Sequence, residues 1–133
     1  MNPPAVAHRT LLAFDFGVKR VGVASGSTLL RQGSPLRTLA VEGEARFESI
    51  ARLIAEWRPD ALVVGVPFHP DGAPHDNTRR AQRFARQLQG RFHLPVHEVD
   101  ERYTTTEALA DGARDADAAA AVLILEQFFR ESP

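Results

Sequence analysis

The stretch TLLAFDFGVKRVGVAS, residues 10–25, decides the fold. Residues 10–16 form an apolar run of strand length closed by Gly17, and residues 21–25 form a second one. The four residues between them, Gly17-Val-Lys-Arg20, make a connection of hairpin length that contains glycine. Strand alternation puts Leu11, Ala13 and Asp15 on one face and Leu12, Phe14 and Phe16 on the other. An acid in such a run is unusual, because strands are depleted in Asp and a lone buried carboxylate is costly. Taken alone, Asp15 reads as readily as a turn residue ahead of Gly17.

Working outward, residues 34–41 (SPLRTLAV) read as a third strand, with Pro35 suiting an edge or a strand start. Residues 44–57 carry Phe47, Ile50, Leu53, Ile54 and Trp57 at helical spacing, and Pro59 marks the end of that helix. Phe47 and Trp57 are both expected in the core. ALVVGV, residues 61–66, is apolar throughout, as expected of a strand covered on both faces. The Pro-, Gly- and Asp-rich residues 69–77 are a loop. Residues 78–89 form a helix with an Ala81, Phe84, Ala85, Leu88 stripe and Gly90 as its stop, followed by a strand over 94–99. A helical turn over 104–109, a polar loop over 111–115 and a last helix over 117–129 complete the chain. The order β-β-β-α-β-α-β-α-α predicts one mixed five-stranded sheet with helices on both faces. That is the order of the ribonuclease H-like fold, in the α/β class.

Composition sets bounds. The 133 residues suit one domain, expected over 10–133 behind a flexible leader of residues 1–9. There are no cysteines, so disulfides, thiolate metal sites and cysteine nucleophiles are excluded, and a reducing cytoplasm fits. No apolar run reaches membrane-spanning length, and no membrane partner is expected. The net charge is −1, yet 15 of the 16 basic residues are arginine, a residue suited to phosphate.

The acids fall at telling places. Asp15 ends the first strand, Asp100 and Glu101 follow the fifth, and Asp117 opens the last helix. Carboxyl ends of strands are where open α/β sheets bind ligands. Asp100-Glu101 beside Arg102 also reads as an ion pair or helix cap, and Asp117 as a helix N-terminal acid. In the proposed topology, however, the three positions can converge. Clustered carboxylates repel unless a cation neutralises them, and an oxygen-only donor set suits Mg²⁺ or Mn²⁺. The catalytic candidates are therefore Asp15, Asp100, Glu101 and Asp117. Asp15, Asp100 and Asp117 are the expected metal ligands, with alternation from Val96 favouring Asp100 over Glu101 and one bulge enough to exchange them.

Candidate nucleic-acid contacts are Lys19 and Arg20 in the hairpin, Arg102 beside the acids, Arg114, and the Arg79, Arg83, Arg86 stripe. That stripe reads equally as a solvated face, and Arg102 equally as a holder of a carboxylate. The five histidines show no metal-ligand spacing. Tyr103 is a candidate base-stacking residue.

The segments LLAFDFGVKRVGVA (11–24), WRPDALVVGVPFHPDG (57–72), RRAQRFARQL (79–88), VDERYTTTEA (99–108) and DADAAAAVLILEQFF (115–129) together resemble the YqgF family, also called RuvX-type. These are pre-16S rRNA nucleases first described as Holliday junction resolvases. The resemblance runs from about Thr10 to Arg130. It implies the ribonuclease H-like fold, metal-dependent phosphodiester hydrolysis and cytoplasmic maturation of the 5′ end of 16S rRNA, with family acids at Asp15, the Asp100–Glu101 pair and Asp117. The chain departs from the family pattern in three respects. His69 stands where Asn is frequent. Arg114 and Asp115 occupy a shortened connection where a lysine is frequent. Glu98 replaces an apolar residue, which either alters the fifth strand or signals an edge. The partner is expected to be precursor or structured rRNA, with branched DNA as the alternative, acted on by a monomer or homodimer. Junction cleavage needs two symmetric cuts and hence a dimer. A nucleic-acid-binding factor with little catalysis is a further alternative. An actin-like ATPase, which binds nucleotide between two domains, does not fit a single one.

Overall fold

The computed structural model describes residues 9–74, 76–101 and 116–131. Outside them lie the expected leader up to residue 8, His75, Arg102, Tyr103, the 104–109 turn, and the 111–115 loop with Arg114 and Asp115. Five strands and three helices follow in the order β1 (Thr10–Asp15), β2 (Val21–Ser27), β3 (Gln32–Leu39), α1 (Gly43–Trp57), β4 (Ala61–Val66), α2 (Asp76–Phe92), β5 (Val96–Asp100) and α3 (Ala116–Glu131).

The sheet order is β3-β2-β1-β4-β5. β1 pairs antiparallel with β2 and parallel with β4, and β4 pairs parallel with β5. The mixed sheet predicted from element order is therefore the one formed. β1 lies at its centre, and every described residue of β4 is buried. β3 and β5 are the two edges, as Pro35 and Glu98 signalled. Pro35 pairs with Ala24 where the β2–β3 register shifts, which is how a residue without an N–H is tolerated in a ladder.

Two apolar layers sandwich the sheet. Leu12, Phe14, Val21, Val23, Leu62 and Val64 face α1 and α2, where Phe47, Ile50, Leu53, Phe84 and Leu88 cover them. Leu11, Ala13, Val63 and Val99 face α3, packed by Ile124, Leu125 and Phe129. Each fully buried Leu, Val or Phe contributes roughly 1.5–3 kcal/mol, so the alternation along β1 commits both layers at once. α3 starts with Ala116-Asp117 and four alanines, and Ala118, Ala120 and Ala121 are buried, which lets its backbone lie close to the strands.

Two expectations are corrected. Gly90 does not stop α2, which runs on to Phe92 before His93 turns left-handed (φ 56°). A single helical glycine costs only about 1 kcal/mol relative to alanine, less than burial of the flanking apolar stripe returns. Trp57 is not core. It is 38% exposed at the last turn of α1. Among the described residues, no helix is long and apolar enough to cross a membrane.

The topology places all three helix N-termini at one edge. β1, β4 and β5 point the same way, α1 and α2 return antiparallel to them, and α3 begins against β2. The carboxyl ends of the parallel strands therefore share this edge with the positive ends of three helix dipoles.

Candidate functional site: a buried carboxyl pair between two glycines

The ladder fixes which acids meet. Asp15 pairs with Gly22 on β2 and Gly65 on β4, and Gly65 pairs in turn with Val99 on β5. Residues paired this way share a face, so Gly22, Asp15, Gly65 and Val99 form one row beneath α3. Asp15 is thus flanked on both neighbouring strands by residues with no side chain.

Each glycine leaves room for one partner of the acid. A Cβ on Gly65 would lie 2.3 Å from Glu101 Oε1 and 2.4 Å from Ile124 Cδ1. The Glu101 carboxyl therefore folds back over Gly65, and its backbone N–H donates to the Val66 carbonyl at 3.0 Å. A Cβ on Gly22 would lie 1.8 Å from the Asp117 carbonyl oxygen, so the first turn of α3 sits directly on the sheet. A larger residue at either position would close the site.

Asp15 and Glu101 are hydrogen-bonded to one another. Burial raises the Asp15 carboxyl to about 6; the hydrogen bond from Glu101 opposes this rise and the Asp117 charge adds to it. Glu101 is pushed up to about 9 by burial, by the Asp15 charge, by that hydrogen bond and by Asp100. Burial and mutual repulsion raise both carboxyls, so at neutral pH the pair shares a proton across that hydrogen bond. Asp117 stands at the rim, where Arg20 Nε meets its Oδ2 at 3.1 Å. That pair is solvent-exposed and contributes little stability.

Asp100 is placed differently. It pairs with Val66 in the adjacent row, and its backbone carbonyl accepts a hydrogen bond from Gln127 Nε2 at 2.7 Å. Alternation from Val96 favours Asp100 only where Val96 lies on the face of Asp15. Val96 instead packs against the α1–α2 layer, so the residue in step with Asp15 is Glu101, one place further on.

The donor set is oxygen-only. Among the described residues, no three His, Cys, Asp or Glu side chains lie close enough together to hold one ion. Asp15 and Glu101 are joined by a proton, and Asp117 is turned toward Arg20. Two buried carboxyls forced to share a proton, with a third acid raising their cost of ionisation, still fit a hard divalent cation.

The predicted cations divide. Lys19 and Arg20 are exposed in the 17–20 connection. That connection is tight, because a Cβ on Gly17 would meet the Arg20 carbonyl at 2.5 Å. Arg79, Arg83 and Arg86 are exposed on α2, on the opposite side of the sheet from α3. His69 is exposed in the loop after β4, where its backbone N–H donates to Ala73 and its carbonyl accepts from Gly72. Sequence reasoning missed Gly22, Gly65 and Arg46. Isolated glycines inside apolar strands were the available signal for close backbone approach. Arg46 gave none, being one arginine among fifteen. It is 6% exposed, donates through Nε to the Val41 carbonyl and through Nη2 to the Val18 carbonyl, both at 2.9 Å, and lies 5.6 Å over the Phe16 ring. It ties the 17–20 connection to α1.

Comparison with known proteins adds the following. Residues 9–131 match the family model RuvX, described as Holliday junction resolvase. A protein from Albidiferax ferrireducens named "Putative pre-16S rRNA nuclease" is 69% identical over 131 residues, covering 97% of this chain and 84% of that one. A Polaromonas protein of the same name is 61% identical and covers both chains fully. Among solved structures, Thermus thermophilus RuvC in complex with a Holliday junction substrate superposes with a TM-score of 0.55 at 18% identity, over 92% of this chain and 94% of that one. Fowlpox virus resolvase with Holliday junction DNA gives 0.58 at 10% identity, over 92% and 97%. These structural likenesses establish the ribonuclease H-like fold.

Proposed function

This chain belongs to the RuvX family, and on that premise we propose that it is a cytoplasmic, divalent-metal-dependent endonuclease that hydrolyses phosphodiester bonds in maturing the 5′ end of pre-16S rRNA. The observation that carries the catalytic reading is the buried Asp15–Glu101 pair set between Gly22 and Gly65, with Asp117 at its rim. A fold keeps such a costly arrangement when it has a cation to hold. The name shared by the close relatives supports the rRNA substrate.

In this reading Asp15, Glu101 and Asp117 would hold Mg²⁺ or Mn²⁺, while Asp100 pairs with Val66 in the adjacent row. When bound, the ion supplies Lewis-acid stabilisation of charge on the phosphoryl oxygens and a more acidic water. The chain's own residues do the rest. Release of the shared proton to solvent would free both inner carboxylates as oxygen donors. Arg20 pairs with Asp117 at the rim. Lys19 and Arg20 present positive charge where a phosphate must approach, and three helix N-termini at the same edge favour the polyanion. Arg102 and Arg114 remain candidate contacts.

The second reading is cleavage of branched DNA. The description of the matching family favours it. Measuring Mn²⁺-dependent cleavage of a 16S precursor beside a four-way DNA junction separates the two. Asp15→Asn is expected to abolish cleavage of the preferred substrate with the melting profile retained, and undiminished cleavage would remove Asp15 from the site. Tight RNA binding with no cleavage of either substrate would favour a binding factor instead.

A further inference from the structure

The peptide that joins Asp100 to Glu101 is held from two sides. Its N–H, on Glu101, donates to the Val66 carbonyl of β4 at 3.0 Å. Its C=O, on Asp100, accepts from Gln127 Nε2 of α3 at 2.7 Å. A trans peptide is a rigid plane whose N–H and C=O point opposite ways. Bonds at both ends therefore fix the plane against rotation, whereas the bond to β4 alone would leave it a hinge. This plane is the last one before the Glu101 Cα, and its tilt sets the direction in which the Glu101 side chain departs.

The place of this peptide makes the second bond matter. β5 borders the sheet, and among the described residues it pairs with β4 alone. An outward-facing carbonyl on such a border ordinarily bonds water, which imposes no direction on it. Glu101 nevertheless has to fold back over Gly65 to reach Asp15, where its carboxyl fills the space that a Cβ on Gly65 would take. A modest turn of the plane would carry the carboxyl out of that space.

Gln127 is itself well placed. Its Nε2 also donates to the Glu131 carboxyl at 3.1 Å, one helical turn further on. A carbonyl and a carboxylate only accept, so the amide nitrogen of Gln127, and not its oxygen, must face them. The neighbouring side chains seat this part of α3 on the sheet. Ile124 reaches Gly65 of β4, and the Phe128 ring lies against the His97 ring of β5, with centroids 5.1 Å apart. Residues 124, 127 and 128 stand at the spacing of one helical face. Asp117 lies on the same helix, roughly 15 Å back at about 1.5 Å per residue.

We infer that Gln127 is a positioning residue: through the Asp100 carbonyl it fixes the peptide plane that delivers the Glu101 carboxyl to Asp15. α3 thus supplies Asp117 directly and Glu101 through Gln127. The consequence for cleavage rests on the nuclease reading, and the clamp on the peptide does not.

The test uses the full chain carrying Gln127→Met, which keeps the length and bulk of the side chain without its donor, or Gln127→Lys, which restores an N–H donor of similar reach. Backbone amide exchange of the metal-free protein is followed by NMR. In Gln127→Met the Glu101 amide is expected to exchange about five- to tenfold faster, the factor that one neutral hydrogen bond is worth. The Asp15 amide should be unchanged and the melting temperature within roughly 3 °C of wild type. Gln127→Lys is expected to bring Glu101 exchange back to within about twofold of wild type. In Mn²⁺-dependent cleavage, Gln127→Met is expected to lower kcat on the order of tenfold with KM for the nucleic acid unchanged, because an acid and not a phosphate contact has moved. Gln127→Lys should recover most of that loss. Unchanged Glu101 exchange in Gln127→Met would overturn the clamp. Faster exchange with unaltered kcat, or equal losses in the two variants, would overturn the positioning role. If the wild-type chain cleaves neither precursor rRNA nor a four-way junction, the nuclease reading fails and the role in cleavage with it, and amide exchange alone then decides the clamp.

Discussion

Replacing Gly22 by alanine tests whether α3 is seated on bare backbone. The added Cβ would lie 1.8 Å from the Asp117 carbonyl oxygen, 2.1 Å from its carbon and 2.7 Å from the Ala118 nitrogen. All three are backbone atoms, so no side-chain rotation relieves the overlap. Real Cβ atoms essentially never come nearer than 3.0 Å, so the helix end must retreat by roughly 1.2 Å, the difference between 3.0 and 1.8 Å. Overpacking of this kind costs about 1–3 kcal/mol, and the upper half of that range is expected here. For a domain of this size that is a fall of roughly 8–12 °C in melting temperature. The retreat carries Asp117 with it, and a misplacement near 1 Å can cost on the order of a hundredfold in rate. Gly90→Ala is the matched control. Its Cβ meets nothing within 4 Å inside α2, so the same chemical change should stabilise by about 0.5–1 kcal/mol and leave cleavage alone. Calorimetry and a Mn²⁺-dependent cleavage assay read both variants. Wild-type stability and activity in Gly22→Ala would refute the seating of α3, and with it the route by which Asp117 reaches the site.

Two further outcomes follow from the same geometry. Glu101→Gln should remove cleavage about as completely as Asp15→Asn, whereas Asp100→Asn should retain most of it; equal losses at 100 and 101 would contradict the row assignment. Stability without metal should fall as pH rises. Asp15 and Glu101 have ordinary values of 3.8 and 4.5 but titrate near 6 and 9 in the fold, so between those limits the native chain holds more protons than the unfolded one. Their contribution is full below about pH 4 and is lost as pH climbs through about 9, by a few kcal/mol in denaturant melts. Millimolar Mg²⁺ should restore more stability at pH 9 than at pH 6, and Glu101→Gln should flatten the profile; a pH-independent melt would show that the pair does not share a buried proton.

The elements were legible because burial writes a period into the sequence. The apolar runs of β1 and β4 and the stripes of α1 and α2 stand within a few residues of their observed bounds, and Pro35 and Glu98 marked the edges. What the sequence could not convey was relation between strands. Asp15 lies in the row of Glu101 because β1 pairs with Gly65 and Gly65 with Val99, and no count along β5 alone gives that register. Val96 misled for this reason, since it faces the other layer. Gly90 misled because a lone breaker is outweighed when apolar residues continue beyond it, and Trp57 because helical spacing marks the inward face without saying how deeply each end of the helix is covered.

The place of β1 in the strand order sets how the two inner acids fare under thermal motion. Asp15 is anchored in a strand clamped on both sides, so its peptide amide should exchange with deuterium only through near-global opening. Glu101 hangs just past a border strand that has a single neighbour, and peeling of that border draws it away while everything around Asp15 stays zipped. Warming the protein should therefore silence it before it melts, with the break beginning at Val99 and Asp100.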